Sequence, residues 1–171
     1  MAARWPGSPP ATDPELDPAD TPVALSIKEF AVVRAIVDAF FPAEDGFPSG
    51  VEVGIHQRID EELWAAPDRL RGDIKSGLQL IEHLPPIYGH PHRFTALSRE
   101  ARVAVFTSMT RSSRETIRQI AVALKQMSQI FYYGHEKVWP MIHYDGTFVK
   151  TPKPPPSSIA YASLVKSRRG A

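Results

Sequence analysis

The chain has 171 residues, 17 of them proline and ten glycine, with 43% hydrophobic and 23% charged side chains and a formal net charge of +1. That size and balance suit one soluble domain with a single core. The lack of cysteine excludes disulfides, thiolate zinc sites, iron–sulfur ligation, covalently attached c-type haem and a cysteine nucleophile, and a near-neutral charge is unlike the basic footprint of a nucleic-acid binder.

Six prolines fall in residues 1–25, where one Arg stands against four acids. Proline removes a backbone donor and keeps its predecessor out of helix, so an extended acidic arm is expected over 1–25. The arm holds no apolar core of a secretory signal and no twin-arginine pair; the only Arg-Arg is Arg168-Arg169. A cytoplasmic location follows as the expectation for the chain alone, or a periplasmic or extracellular one if it is exported with a partner. No apolar run approaches the ~18–20 residues that span a bilayer.

The body opens at Ser26, where Ser26 and Glu29 form an S-x-x-E capping box. Phe30, Val33, Val37 and Phe40 follow at helical spacing, widened by Ile36 and Phe41, and Pro42 ends the helix. Val51, Ile55, Ile59 and Leu63 make the ridge of a second helix, with Arg58, Asp60, Glu61 and Glu62 turned mostly to water. Pro67 suits the first turn of a third, whose stripe is Leu70, Ile74, Leu78, Ile81 and Leu84 before Pro85-Pro86 stops it. Leu97-Ser98 then leads into a shorter helix carrying Val103 and Phe106. Ser112 and Glu115 read as a second capping box, opening the longest pattern: Ile117, Ile120, Ala121, Leu124, Met127, Ile130 and Phe131, with Gly134 as C-cap. No segment alternates convincingly with period two. The expectation is an all-α, five-helix bundle-like domain over 26–148, followed by an extended, Pro-rich basic tail over 149–171. Residues 147–171 hold five Lys or Arg and no acid.

Catalytic devices are absent from the pattern. There is no G-x-S-x-G elbow, Walker-type phosphate loop or G-x-G-x-x-G turn, and no Glu has a His three residues later, as a di-iron bundle needs. Glu52 and His56 stand one turn apart and read as a helix-surface pair; Asp60-Glu61-Glu62 reads as a solvated face. His90-Pro91-His92 places two imidazoles in one loop, the basis of an alternative reading as a metal- or ligand-binding domain or small enzyme, although local spacing suggests no third ligand. Arg111, Arg114, Arg118 and Lys125 form a basic stripe interrupted by Glu115. No catalytic, cofactor-binding or metal residue is assigned. His135 and His143 flank an aromatic segment and are expected to make hydrogen bonds there.

That segment runs from Tyr132 to Phe148. It contains Tyr132, Tyr133, Trp139, Tyr144 and Phe148 among glycine and proline breaks. These five either pack back over the bundle or present anchors to a protein partner, because Trp and Tyr bury much area with few rotors.

Several windows resemble the gluconate 2-dehydrogenase subunit 3 family. Phe40-Phe41-Pro42-Ala43-Glu44-Asp45 is similar to its helix ending, and Gly50-Val51-Glu52-Val53-Gly54-Ile55 with Arg58-Ile59-Asp60 to the next stretch. Ser76-Gly77-Leu78 with Ile81-Glu82, and Phe94 with Leu97-Ser98 and Arg102, resemble two later helices. Tyr132-Tyr133, Trp139 and Ile142-His143-Tyr144-Asp145-Gly146 are similar to the closing motif, where His143 stands in place of a usual glycine. The twin-arginine signal of many members is missing here. The resemblance covers about residues 25–148 and implies a non-catalytic small subunit that binds and stabilises or matures a flavoprotein of the glucose-methanol-choline type. FAD is then expected in that larger partner and no cofactor in this chain. A multi-haem cytochrome c is a further implied partner, and the complex would oxidise sugars, polyols or alcohols.

Overall fold

The first hydrophobic stripe becomes the central helix. In the computed structural model, which describes residues 20–146 and 156–169, α1 spans Ile27–Phe40 and buries eight of its 14 residues. A helix buried over so wide an arc must be wrapped by several neighbours. Indeed α2 (Ile55–Ala65), α3 (Asp68–His83) and α4 (Arg99–Thr110) all pack against it, and α5 (Glu115–Tyr133) closes the bundle against those three. Phe30, Val37, Leu78, Phe94, Phe106 and Leu124 meet in the core with essentially no exposure. Short 3-10 turns lie at Pro85–Tyr88, Phe94–Ala96 and Trp139–Ile142. Among the described residues there is no strand, only a single bridge between Glu44 and Phe47. The all-α class is the one the periodicity predicts.

The first capping box forms. Ser26 Oγ accepts from the Glu29 amide at 3.3 Å, and the Glu29 carboxylate accepts from the Ser26 amide at 2.8 Å. Burial opposes ionisation of Glu29, but the Ser26 amide and hydroxyl, with Lys75 and Gln79, outweigh it and hold its pKa below the usual carboxylate value. A depressed folded-state pKa contributes stability above the unfolded-state value and loses it as pH falls through the folded one. Unfolding midpoints in urea should therefore decline from about pH 5 to pH 3, and Glu29→Gln should flatten that decline. An unchanged slope in the variant would remove Glu29 from the acid response.

Several local expectations are revised. The second helix begins at Ile55, not Val51, because Gly54 takes a left-handed φ of 73° that no helix interior accommodates. Pro67 is the N-cap of α3 rather than its first residue. The Ser112–Glu115 box does not form: Ser112 Oγ accepts from the Arg114 amide two residues on, and Arg114 is the N-cap. A short hydroxyl that bonds so locally is no longer available to the helix start. Leu70 and Ile130 lie at the exposed edges of their stripes.

The C-terminal arm is not extended throughout. Residues Pro156–Arg169 form a sixth helix, α6. Its sequence explains this: Pro156 is the last proline, it stands at the first helical position that proline favours, and no breaker follows until Gly170. Tyr161 Oη donates to the Glu61 carbonyl at 3.0 Å and Val165 is buried, so α6 lies on α2. Arg58 pairs with Glu62 and sits near the Phe131 and Tyr161 rings, 5.8 and 5.9 Å from their centroids.

Asp60 is the largest correction. It is fully buried and accepts three consecutive main-chain amides, Val23 at 2.6 Å, Ala24 at 3.0 Å and Leu25 at 2.8 Å. Residues 20–25 are thereby strapped across α2. Asp20, at the head of the strap, accepts from Gln57 Nε2 at 2.9 Å and lies 3.5 Å from His56 Nε2. His56 is buried edge-on to Phe30, and Glu52 precedes α2, so the expected surface pair of Glu52 and His56 is absent.

Two glycines permit close approaches. A Cβ on Gly77 would lie 2.7 Å from Ile120 Cγ2, so this position lets α3 settle against α5. One on Gly50 would lie 2.7 Å from Val37 Cγ1 and 2.9 Å from Phe41 Cβ.

Candidate functional site: the aromatic end of the bundle

Past α1 the chain makes a tight turn through Glu44, Asp45, Gly46 and Phe47. The Phe47 amide donates to the Glu44 carbonyl at 2.8 Å, and both central residues have positive φ, 51° at Asp45 and 83° at Gly46. That is the type I′ pattern, for which Asp-Gly is a favoured pair. The end of α5 pins this loop. Tyr132 stacks on Phe41 with ring centroids 4.4 Å apart, and its hydroxyl donates to the Pro48 carbonyl at 2.8 Å. Burial, with Tyr133 second, pushes the Tyr132 phenol up, so it remains a donor at neutral pH. Between turn and helix lies a shallow, open depression of about 220 Å³ lined by Phe40, Phe41, Phe47, Tyr132 and Tyr133 together with Glu44 and Asp45.

The segment after α5 folds into a hook. Val138 plugs into the core without exposure, while Trp139 is half-buried and edge-on to Tyr144 at 5.1 Å. The Tyr144 amide donates to the Trp139 carbonyl at 3.0 Å, and His143 takes a left-handed φ of 55° to let the chain return. His135 Nδ1 accepts from the Lys137 amide at 3.2 Å. Hook and turn are neighbours: a Cβ on Gly46 would touch Met141 Sδ at 3.7 Å. Tyr133, Met141, Ile142 and Tyr144 are each 38–46% exposed across this end.

The five aromatic residues therefore divide. Tyr133 and Tyr144 face solvent, Trp139 is half-buried, and Tyr132 is 3% exposed and holds the loop from inside. Phe148 lies outside the described residues. The Glu44–Asp45 turn gained no role from its own chemistry, although the Asp-Gly pair carried the signal. His90 is half-buried and His92 exposed, and among the described residues no group of three or more His, Asp or Glu is placed to hold a metal ion. The basic stripe is partly committed: Arg118 donates to the Ser112 carbonyl, and Lys125 Nζ lies 5.9 Å from the Phe40 ring centroid.

A larger groove, about 420 Å³, runs between α1 and α3 over Val32 and Leu78. Its carboxylates are already spent on structure, Glu29 on Ser26 and Glu82 on the Thr95 amide and hydroxyl at 3.0 and 2.7 Å. It has the character of a packing seam.

A small all-α domain with aromatic and apolar side chains gathered at one end defines the class. The chain belongs to the gluconate 2-dehydrogenase subunit 3 family, whose model matches residues 27–146. The match runs from α1 through the hook and leaves out the strap and α6. No curated protein and no solved structure matches the chain.

Proposed function

We propose that this chain is a non-catalytic accessory subunit that binds, and stabilises or matures, the FAD-containing subunit of a dehydrogenase acting on sugars, polyols or alcohols. The observation that carries this reading is the aromatic end itself. Tyr133, Met141, Ile142 and Tyr144 stay exposed beside half-buried Trp139, all inside the family-matched span. Such side chains lose contact with water on docking, and aromatic anchors supply much of the energy of protein interfaces. The FAD and the reacting groups belong, on this reading, to the larger partner, with a multi-haem cytochrome as electron acceptor.

Co-production with the flavoprotein subunit tests it. A stable complex should elute, and the flavoprotein should lose solubility or FAD content when made alone. If it is equally soluble, loaded and active alone and no complex elutes, the reading is wrong. Tyr144→Ala should weaken the complex by about 1–2 kcal/mol while leaving the melting temperature of the isolated chain within about 2 °C. Unchanged affinity would move the anchor elsewhere on this end.

A further inference from the structure

The groove between α1 and α3 combines apolar walls with a basic border. Ala31 and Val32 line it from α1 and Leu78 from α3, while Ile27 is 64% exposed beside them. Walls of this kind gain when chain laid over them excludes water. Lys28, also on the groove, forms no ion pair among the described residues, and Arg93 there pairs with Glu82 at 3.6 Å. From the groove, guanidinium groups lead along α1. Arg102 donates to the carbonyl of Thr95, a groove residue, at 2.7 Å and to Asp38 at 3.2 Å. Arg99 donates to the same Asp38 at 3.0 Å. One turn back along α1 stands Arg34, whose Nε lies 4.0 Å from the Asp20 carboxylate. With the Lys75–Glu29 pair included, this belt holds six cations against four acids.

We infer that this groove seats the chain's own N-terminal arm, residues 1–19, which lie outside the described residues. The point of attachment favours it. Asp20 is fixed against α2 by Gln57 and His56 and stands beside Arg34 of α1, so the arm sets out from one end of the belt. At about 3.1 Å per residue, extended chain of this length reaches far past the ~11 Å of α1 between Arg34 and Ile27. Its charge is complementary: residues 1–19 hold Asp13, Glu15 and Asp17 against Arg4 alone. Trp5 and Leu16 supply large apolar side chains for the groove. Five of the 19 residues are proline, and proline-rich chain loses less entropy on docking because it is already extended. Tethering further favours the arm over any separate partner, since its local concentration is of millimolar order. The inference stands apart from the reading of the aromatic end, because it concerns another part of the bundle and an occupant from within the chain.

The test uses the full chain, whose lack of cysteine allows a single spin label. Ser8→Cys carrying a nitroxide should erase the NMR signals of Ala31, Val32 and Leu78. Those of Glu44 to Phe47, past the other end of α1, should stay sharp. Ile27→Asp should restore the groove signals, and an acid in the first turn is compatible with the helix. Asp13→Asn with Glu15→Gln and Asp17→Asn should restore them in part. Groove signals that stay sharp in the labelled parent overturn the inference. So does loss of signal that survives both sets of substitutions, since the label then reaches the groove through proximity alone. Signal loss in an unlabelled chain mixed with a labelled one would assign the groove to a second copy's arm, which also overturns it. Groove signals that are sharp in the lone chain and shift only when the flavoprotein subunit is added would give the groove to that subunit. That result sinks the inference and leaves the accessory-subunit reading standing.

Discussion

Asp60→Ala is expected to destabilise the protein by about 3 kcal/mol, from the loss of charge-assisted hydrogen bonds and the stranding of their donors. Three amides lose their acceptor at once, and that of Leu25 is buried. Water can reach the Val23 and Ala24 amides more readily, which keeps the cost below three full charged bonds. For a chain of this size that loss corresponds to a melting temperature lower by roughly 6–12 °C. Asp60→Asn should fall between, since one terminal group of the amide is itself a donor facing donors. Hydrogen exchange supplies the local check: the Leu25 amide should be protected in the parent and exchange rapidly in Asp60→Ala. A melting shift under about 2 °C would mean that the strap contributes little to the folded state.

Gly50→Ala should cost about 2–3 kcal/mol, near the upper end for overpacking a core. The added methyl would sit within 3.0 Å of both Val37 Cγ1 and Phe41 Cβ. Val37 is wholly buried, and Phe41 Cβ cannot withdraw without moving the end of α1. Gly50 also joins two elements, its amide donating to the Phe41 carbonyl at 2.8 Å and its carbonyl accepting from Ile55 at 3.0 Å. Strain at this point passes into the turn that carries Glu44 and Asp45. The variant should therefore lower both the urea midpoint and the affinity of the flavoprotein complex. A stable variant with normal binding would show that α1 and the loop part more easily than their packing suggests.

The helical order was legible because burial of one face leaves a 3.6-residue trace, and α1 and its capping box follow that trace closely. Asp60 was not legible. A carboxylate beside Glu61 and Glu62 on a helix looks solvated, and its partners are backbone amides, which have no residue letter. His56 was missed for a related reason, since its partner Asp20 lies in a proline-rich segment that periodicity ignores. The tail misled through the weight of its prolines: those before Pro156 argue for extended chain, but nothing after it opposes a helix. At the candidate site, composition pointed to the aromatic segment without resolving it. Tyr132 and Tyr133 are neighbours separated by about 100° around α5, and the spacing alone does not say which turns inward; packing against Phe41 gives that place to Tyr132.

The strap has an evolutionary corollary. Because Asp60 grips main chain, its hold on positions 23 and 24 does not specify their side chains, except that neither can be proline, which would delete a donor. Contacts of this kind leave almost no imprint for sequence comparison to find. The described fold starts upstream of Ile27, where the family match begins. Boundaries drawn from residue similarity alone would trim away a segment that the folded domain uses to close over its second helix.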